Sequence, residues 1–119
     1  MSLFERIGGA PAIAASVELF YVKQVADEKV KGFFHHIDLE KLKAHQRDFL
    51  TMAFGGPDHY TGRSLTDSHK FLFISDWHFD SVKKNLLDTL AELKVAKALI
   101  NEVEVIVEST RKAIVYQEP

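Results

Sequence analysis

The 119-residue chain contains no cysteine. That one absence removes disulfides, cysteine-zinc sites, iron–sulfur ligation and thiol catalysis together. Charge of one sign is also missing in any quantity: 15 Lys and Arg face 17 Asp and Glu, for a formal net charge of -2. Without a basic block, and with a pI near 6.3, nucleic acid is not an expected partner. No apolar run approaches the roughly 18 residues that a membrane span requires. The opening stretch, MSLFERIGG, lacks the basic start and long apolar run of a secretory signal, so a cytoplasmic protein is expected.

Hydrophobic residues make up 46% of the sequence and charged residues 27%. That composition suits one compact domain, residues 1–119, with a real core and an ordinary polar surface. Nine Phe stand against one Trp and three Tyr, and most of the Phe lie between Phe20 and Phe79, which predicts a localised aromatic interior.

Helical periodicity runs through the chain with no alternating strand pattern to compete with it, so the class is all-α. Gly8 and Gly9 break the chain after a short first turn, and Pro11 is placed where a helix can begin. Over about 11–26, Ile13, Val17, Phe20 and Tyr21 share a face. Asp27 is expected to cap a short segment ending in Phe33-Phe34, and Asp38 to cap a helix that stops at Gly55-Gly56-Pro57. A shorter helical piece is expected over 65–74. Asp76 is expected to cap a helix over 77–93 with the stripe Phe79, Val82, Leu86, Leu90 and Leu93. A final helix over about 95–115 presents Leu99, Val103, Ile106, Val107 and Ile114.

The helix after Asp38 carries an anomaly. Its inward row reads Leu39, Leu42, Gln46, Phe49 and Ala53, with His45 beside it. A buried amide left without partners costs about 1–3 kcal/mol, so Gln46 needs something to bond. Six histidines are present, but none form HExxH, and no pair on one helix has the spacing of a multidentate metal site. Asp67, Ser68 and His69 are adjacent in sequence and do not face one another on a helix, so a catalytic triad is not supported. His69 does share a face with Leu65, Leu72 and Phe73. Such an inward histidine is either a core residue satisfied by a carbonyl or the one protein ligand of a cofactor that brings the rest, of which haem is the obvious case.

Six stretches in order resemble the truncated haemoglobins of the first group, over nearly the whole chain. They are LFERIGG, FY at 20–21, FF at 33–34, LKAHQRDFL at 42–50 and AFGGPDHYTGR at 53–63, followed by His69 with HFDSV at 78–82. The resemblance implies a two-over-two helical globin sandwich around haem b, with His69 as the proximal iron ligand. It places Phe34 against the porphyrin, and Leu42, Gln46, Phe49 and Leu50 on the distal side beneath the Tyr21 phenol. Phe73, Phe79, Val82, Leu86, Val103 and Val107 would pack around the ring edge and proximal side. Tyr21 and Gln46 would donate to the partly negative outer oxygen of bound dioxygen; the alternative is that they merely bond to each other in a packed core. His45 would either bind iron from the distal side or lean outward to a propionate or solvent. His59, Arg63, Lys43 and Lys70 are candidates for the propionates, and His35, His36 and His78 for solvated or loop positions.

Two departures from cyanobacterial relatives matter. The chain ends RKAIVYQEP without the histidine that links to a haem vinyl group in some of them, so no covalent link is expected. Leu42 stands where such members often carry glutamine, which makes the distal side less polar. The resemblance therefore implies reversible binding of dioxygen, nitric oxide and carbon monoxide by a monomer. The alternative is a nitric oxide dioxygenase or other redox haem protein dependent on an external reductase, since no flavin or nicotinamide domain is visible. A gas sensor is a third class, though no output domain is attached. Replacing His69 with Ala is expected to abolish stable haem retention; a variant with normal haem content and spectrum would refute the proximal assignment.

Overall fold

A computed structural model describes residues 1–58 and 74–115. Helix α1 spans Leu3–Ile7, α2 Gly9–Ala26 and α3 Leu39–Ala53, with a 3-10 turn over Lys31–Phe34 between the last two. Next among the described residues come α4, Asp76–Glu92, α5, Lys97–Glu108, and the short α6, Arg111–Ile114. The all-α class holds: α2 packs on α3, α4 packs on α5, and α2 also packs on α4, which joins the two pairs. No described helix is long and apolar enough to cross a membrane. The piece expected over 65–74 lies outside the described residues except for Ile74, which is buried and non-helical.

Local chemistry sets the boundaries. Ser2 accepts a hydrogen bond from the Glu5 amide at 3.2 Å, and the Ser2 amide donates to Glu5 Oε1 at 3.3 Å. This reciprocal pair closes the open first turn of α1. Gly8 and Gly9 have φ of 128° and 71°, so the chain reverses into α2 in conformations that side chains resist. Helix α2 consequently begins at Gly9, two residues before Pro11, which falls in the first turn where amides lack helical acceptors in any case.

The end of α3 is held by two glycines with different duties. Gly55 has φ 85°, and the amides of Gly55 and Gly56 donate to Met52 and Thr51 carbonyls at 3.0 and 2.8 Å. These bonds satisfy the orphan carbonyls of the last turn. Gly56 is needed for space instead: a Cβ there would come within 2.7 Å of Phe4 Cγ. The Phe4 amide donates to the Phe54 carbonyl at 2.8 Å, so α1 is fastened to the finished end of α3.

Two boundaries differ from expectation. Ser75, not Asp76, caps α4: its hydroxyl accepts from the His78 amide, and His78 Nδ1 accepts in turn from the Ser75 amide at 3.1 Å. His78 is thus a helical capping residue, not a solvated one. The single last helix is broken at Ser109 and Thr110. Thr110 Oγ1 donates back to the Val107 carbonyl at 2.6 Å, and Ser109 Oγ to that of Ile106, which is how these residues compete with helical bonding.

The core joins Ile13, Val17, Phe20 and Tyr21 of α2 to Leu50, Leu86, Leu90, Ile100 and Val103, with Leu3 and Phe54 at one end. All four α2 residues are those expected to share a face. Ion pairs fasten the helices from outside. Arg6 grips Glu102 with two bonds of 2.7 and 2.8 Å, linking α1 to α5. Lys83 and Arg111 both bond Glu108, at 2.7 and 2.6 Å.

Two predictions follow from the boundaries and the pairs. Lys94, just past α4, has φ 64°, and its amide and that of Val95 donate to Ala91 and Leu90 carbonyls at 3.0 Å. Since left-handed backbone costs a non-glycine residue roughly 1–2 kcal/mol, Lys94→Gly is expected to stabilise the chain by about 1 kcal/mol in urea unfolding; an unchanged midpoint would show that the strain is relieved. Arg111 and Lys83 hold the Glu108 carboxylate down to about 2, from an ordinary 4.5. A depressed carboxylate stabilises the fold fully above its unfolded value, and that contribution is lost as pH falls from 4.5 toward 2. The thermal midpoint should therefore fall more steeply over that window in wild type than in Glu108→Gln.

Candidate functional site

The polar centre of the interior is a pair of side chains from facing helices. Tyr21, on the fourth turn of α2, is 5% exposed, and its hydroxyl donates to Gln46 Oε1 of α3 at 3.4 Å. Burial pushes the Tyr21 phenol well above its ordinary pKa of 10.0, so it keeps its proton and remains a donor. Its ring is held edge-on by Phe20 and Phe34, with centroids 5.1 and 5.8 Å away. Phe34 reaches it from the 3-10 turn. Gln46 thus faces the interior, as the row on α3 requires, and Tyr21 is the partner its amide needed.

Apolar side chains surround this pair. Leu50, Leu86 and Val103 belong to the same buried cluster as Tyr21, and Phe34, Leu42, Phe49, Val82 and Val107 are half-buried against it. The structure therefore brings together ten of the residues singled out in the sequence, counting Tyr21 and Gln46 themselves. Phe79 is buried at 3% exposure but stands outside that cluster; the Arg111 guanidinium lies over its ring, 4.4 Å from the centroid. His45, one residue before Gln46, is exposed. His69 and Phe73 lie outside the described residues, as do His59, Arg63 and Lys70. Lys43 is engaged by Glu18 at 3.2 Å and Glu40 at 3.1 Å, which ties α3 to α2.

Two groups escaped the sequence reading. Asn85 Nδ2 donates to Gln24 Oε1 at 2.7 Å and to Asp27 Oδ2 at 3.0 Å, pinning the end of α2 to α4. A buried Gln24 one turn after Tyr21 was the available signal, but its partner is 61 residues away. Arg111 is the second, for the same reason of sequence distance.

The donor set decides what could be held here. Among the described residues no group of three His, Asp or Glu could hold a metal ion. A cofactor that carries its own metal in a flat apolar ring needs no such cluster, only apolar walls, one axial ligand and a few placed donors. The half-buried apolar residues around Tyr21 and Gln46 fit that requirement. A groove of about 380 Å³ between α4 and α5, edged by Asp80, Lys83, Lys84 and Lys97, meets the core cluster at Leu87 and Ile100, and its charged rim suits no such ring.

Comparison with known proteins agrees with this geometry. The bacterial-like globin family matches residues 2–116. A group 1 truncated haemoglobin of Tetrahymena pyriformis is 46% identical over 111 residues, covering 93% of this chain and 92% of the relative. One from Synechocystis sp. is 42% identical over 106 residues, covering 86% of each. Among solved structures, the Fe(III) form of the T. pyriformis protein superposes with a TM-score of 0.95 at 44% identity, over 98% of this chain and 100% of the other. The 2/2 haemoglobin of Synechococcus sp., in the cyanomet state with covalently attached haem, superposes with a TM-score of 0.93 at 45% identity, over 97% and 98%. With the fold, the paired helices and the Tyr21–Gln46 centre all in place, the chain belongs to the bacterial-like globin family, and within it to the group 1 truncated haemoglobins.

Proposed function

We propose that this chain binds haem b without a covalent link and holds dioxygen, nitric oxide or carbon monoxide reversibly. The observation that carries this reading is the Tyr21–Gln46 pair, its phenol buried and its amide half-buried, set into an apolar face between α2 and α3. Haem supplies an iron atom able to take up a diatomic gas. His69 would be its axial protein ligand, and Phe34, Leu42, Phe49, Leu50, Phe73, Phe79, Val82, Leu86, Val103 and Val107 its walls.

The two polar side chains then act as selectors. A neutral, buried phenol offers one proton, and the Gln46 amide offers the two on Nε2, neither of which Tyr21 engages in the observed orientation. Turning the amide over reverses the pair, so that Nε2 donates to the phenol oxygen and the phenol proton is freed. A hydrogen bond to a ligand with partial negative charge contributes roughly 1.5–3 kcal/mol, which corresponds to about ten- to a hundredfold slower escape. Carbon monoxide, less polar when bound, gains far less. The apolar surroundings keep water from competing for those donors. His45 lies beside Gln46 on α3; as a sixth iron ligand it would compete with the gas, and otherwise it would meet a propionate or solvent.

Tyr21→Phe tests this in the haem-reconstituted chain by stopped-flow release kinetics. Dioxygen should leave roughly ten- to a hundredfold faster, while carbon monoxide release changes little. Equal effects on both gases would mean that the phenol makes no polar contact with ligand.

A further inference from the structure

Arg111, the first residue of α6, is drawn to three carboxylates at once. Its Nη1 donates to Asp76 Oδ1 at 2.7 Å and its Nη2 to Asp80 Oδ1 at 2.6 Å. Glu108 accepts from Nη2 at 2.6 Å and from Nε at 3.1 Å. Nearly all the N–H groups of the planar fork are used. Because the acceptors stand on α4 and α5, the guanidinium cannot leave its plane without giving one of them up.

That plane lies over Phe79, with Arg111 Cζ 4.4 Å from the ring centroid. Only 25% of the Arg111 side chain is exposed. Phe79, in turn, is buried outside the cluster that packs the other interior residues. A cation on the face of an aromatic ring is attracted by its quadrupole, and here the cation itself is held from three directions.

We propose that Arg111 is a positioning residue: it clamps the Phe79 ring and so fixes one wall of the haem pocket, a role that rests on the haem reading above. Neither Lys nor an apolar residue substitutes fully. Lysine keeps the charge but offers no plane to lie on the ring and no fork to reach three carboxylates.

The test compares R111M, R111K and R6M in the full-length chain. R6M removes the other two-bonded arginine–carboxylate pair, Arg6–Glu102, at the α1–α5 contact, and serves as the control for general loosening. One readout is the aromatic NMR shifts of Phe79 in the haem-free chain. The other is the rate at which the ferric haem-loaded chain yields haem to excess scavenging apoglobin. R111M is expected to move the Phe79 shifts and speed haem loss up to about tenfold, R111K to do so partially, and R6M to leave both unchanged. D76N, which removes one anchor only, takes the place of R111M should that variant not fold. Unmoved Phe79 shifts, or equal acceleration by R111M and R6M, would overturn the inference. A wild-type chain that takes up no haem would overturn the haem reading, while the Phe79 shifts would still decide whether Arg111 clamps the ring.

Discussion

Helix α2 is buried on two sides, against α3 and against α4, and that double burial forces its polar side chains to find partners inside the protein. Each solution differs. Ser16 turns back on its own helix and donates to the Ala12 carbonyl at 2.7 Å. Tyr21 reaches across to Gln46, and Gln24 receives Asn85 from α4. No buried side-chain donor or acceptor among the described residues is left without a partner. Two of these bonds join helices, so the chemistry that satisfies α2 also sets how α3 and α4 sit against it. The candidate site is a by-product of the same requirement: a buried phenol finds its acceptor in the amide of the facing helix.

Ionic contacts do a different job. They sit on the outside, where a single pair contributes little because water and salt screen it. Their sequence reach is what matters. Arg6 to Glu102 joins residues 96 apart, and Arg111 to Asp76 residues 35 apart. Each ties in one of the short helices, α1 and α6. Lys23 and Glu92 add a further pair between α2 and the end of α4.

Much of this was legible in the sequence because the signals were local. The double glycines, the Asp38 cap on α3, the α2 stripe and the inward Gln46 depend on residues within a turn or two of one another. The errors were local as well, and small: Ser75 outcompetes Asp76 as a cap because its hydroxyl and the His78 ring answer each other, and Asp76 is engaged by Arg111. The break at Ser109 and Thr110 was hidden by an apolar period that continues on both sides of it. What no periodicity could show is which distant group meets which, and Arg111 over Phe79 and Asn85 on Gln24 are of that kind. Resemblance, not spacing, singled out His69 as a ligand, and the orientation of His45 could not be read from a position that lies at the edge of an amphipathic face.

The fit of Phe4 over Gly56 has a consequence for how the chain acquires its shape. During synthesis α1 is made before the surface it needs, the Phe54 carbonyl and the bare backbone at Gly56, which follows about fifty residues later. Until then a five-residue helix has too few internal bonds to persist in water. Helix α1 therefore settles only once α3 is complete, and its docking covers the end of α3.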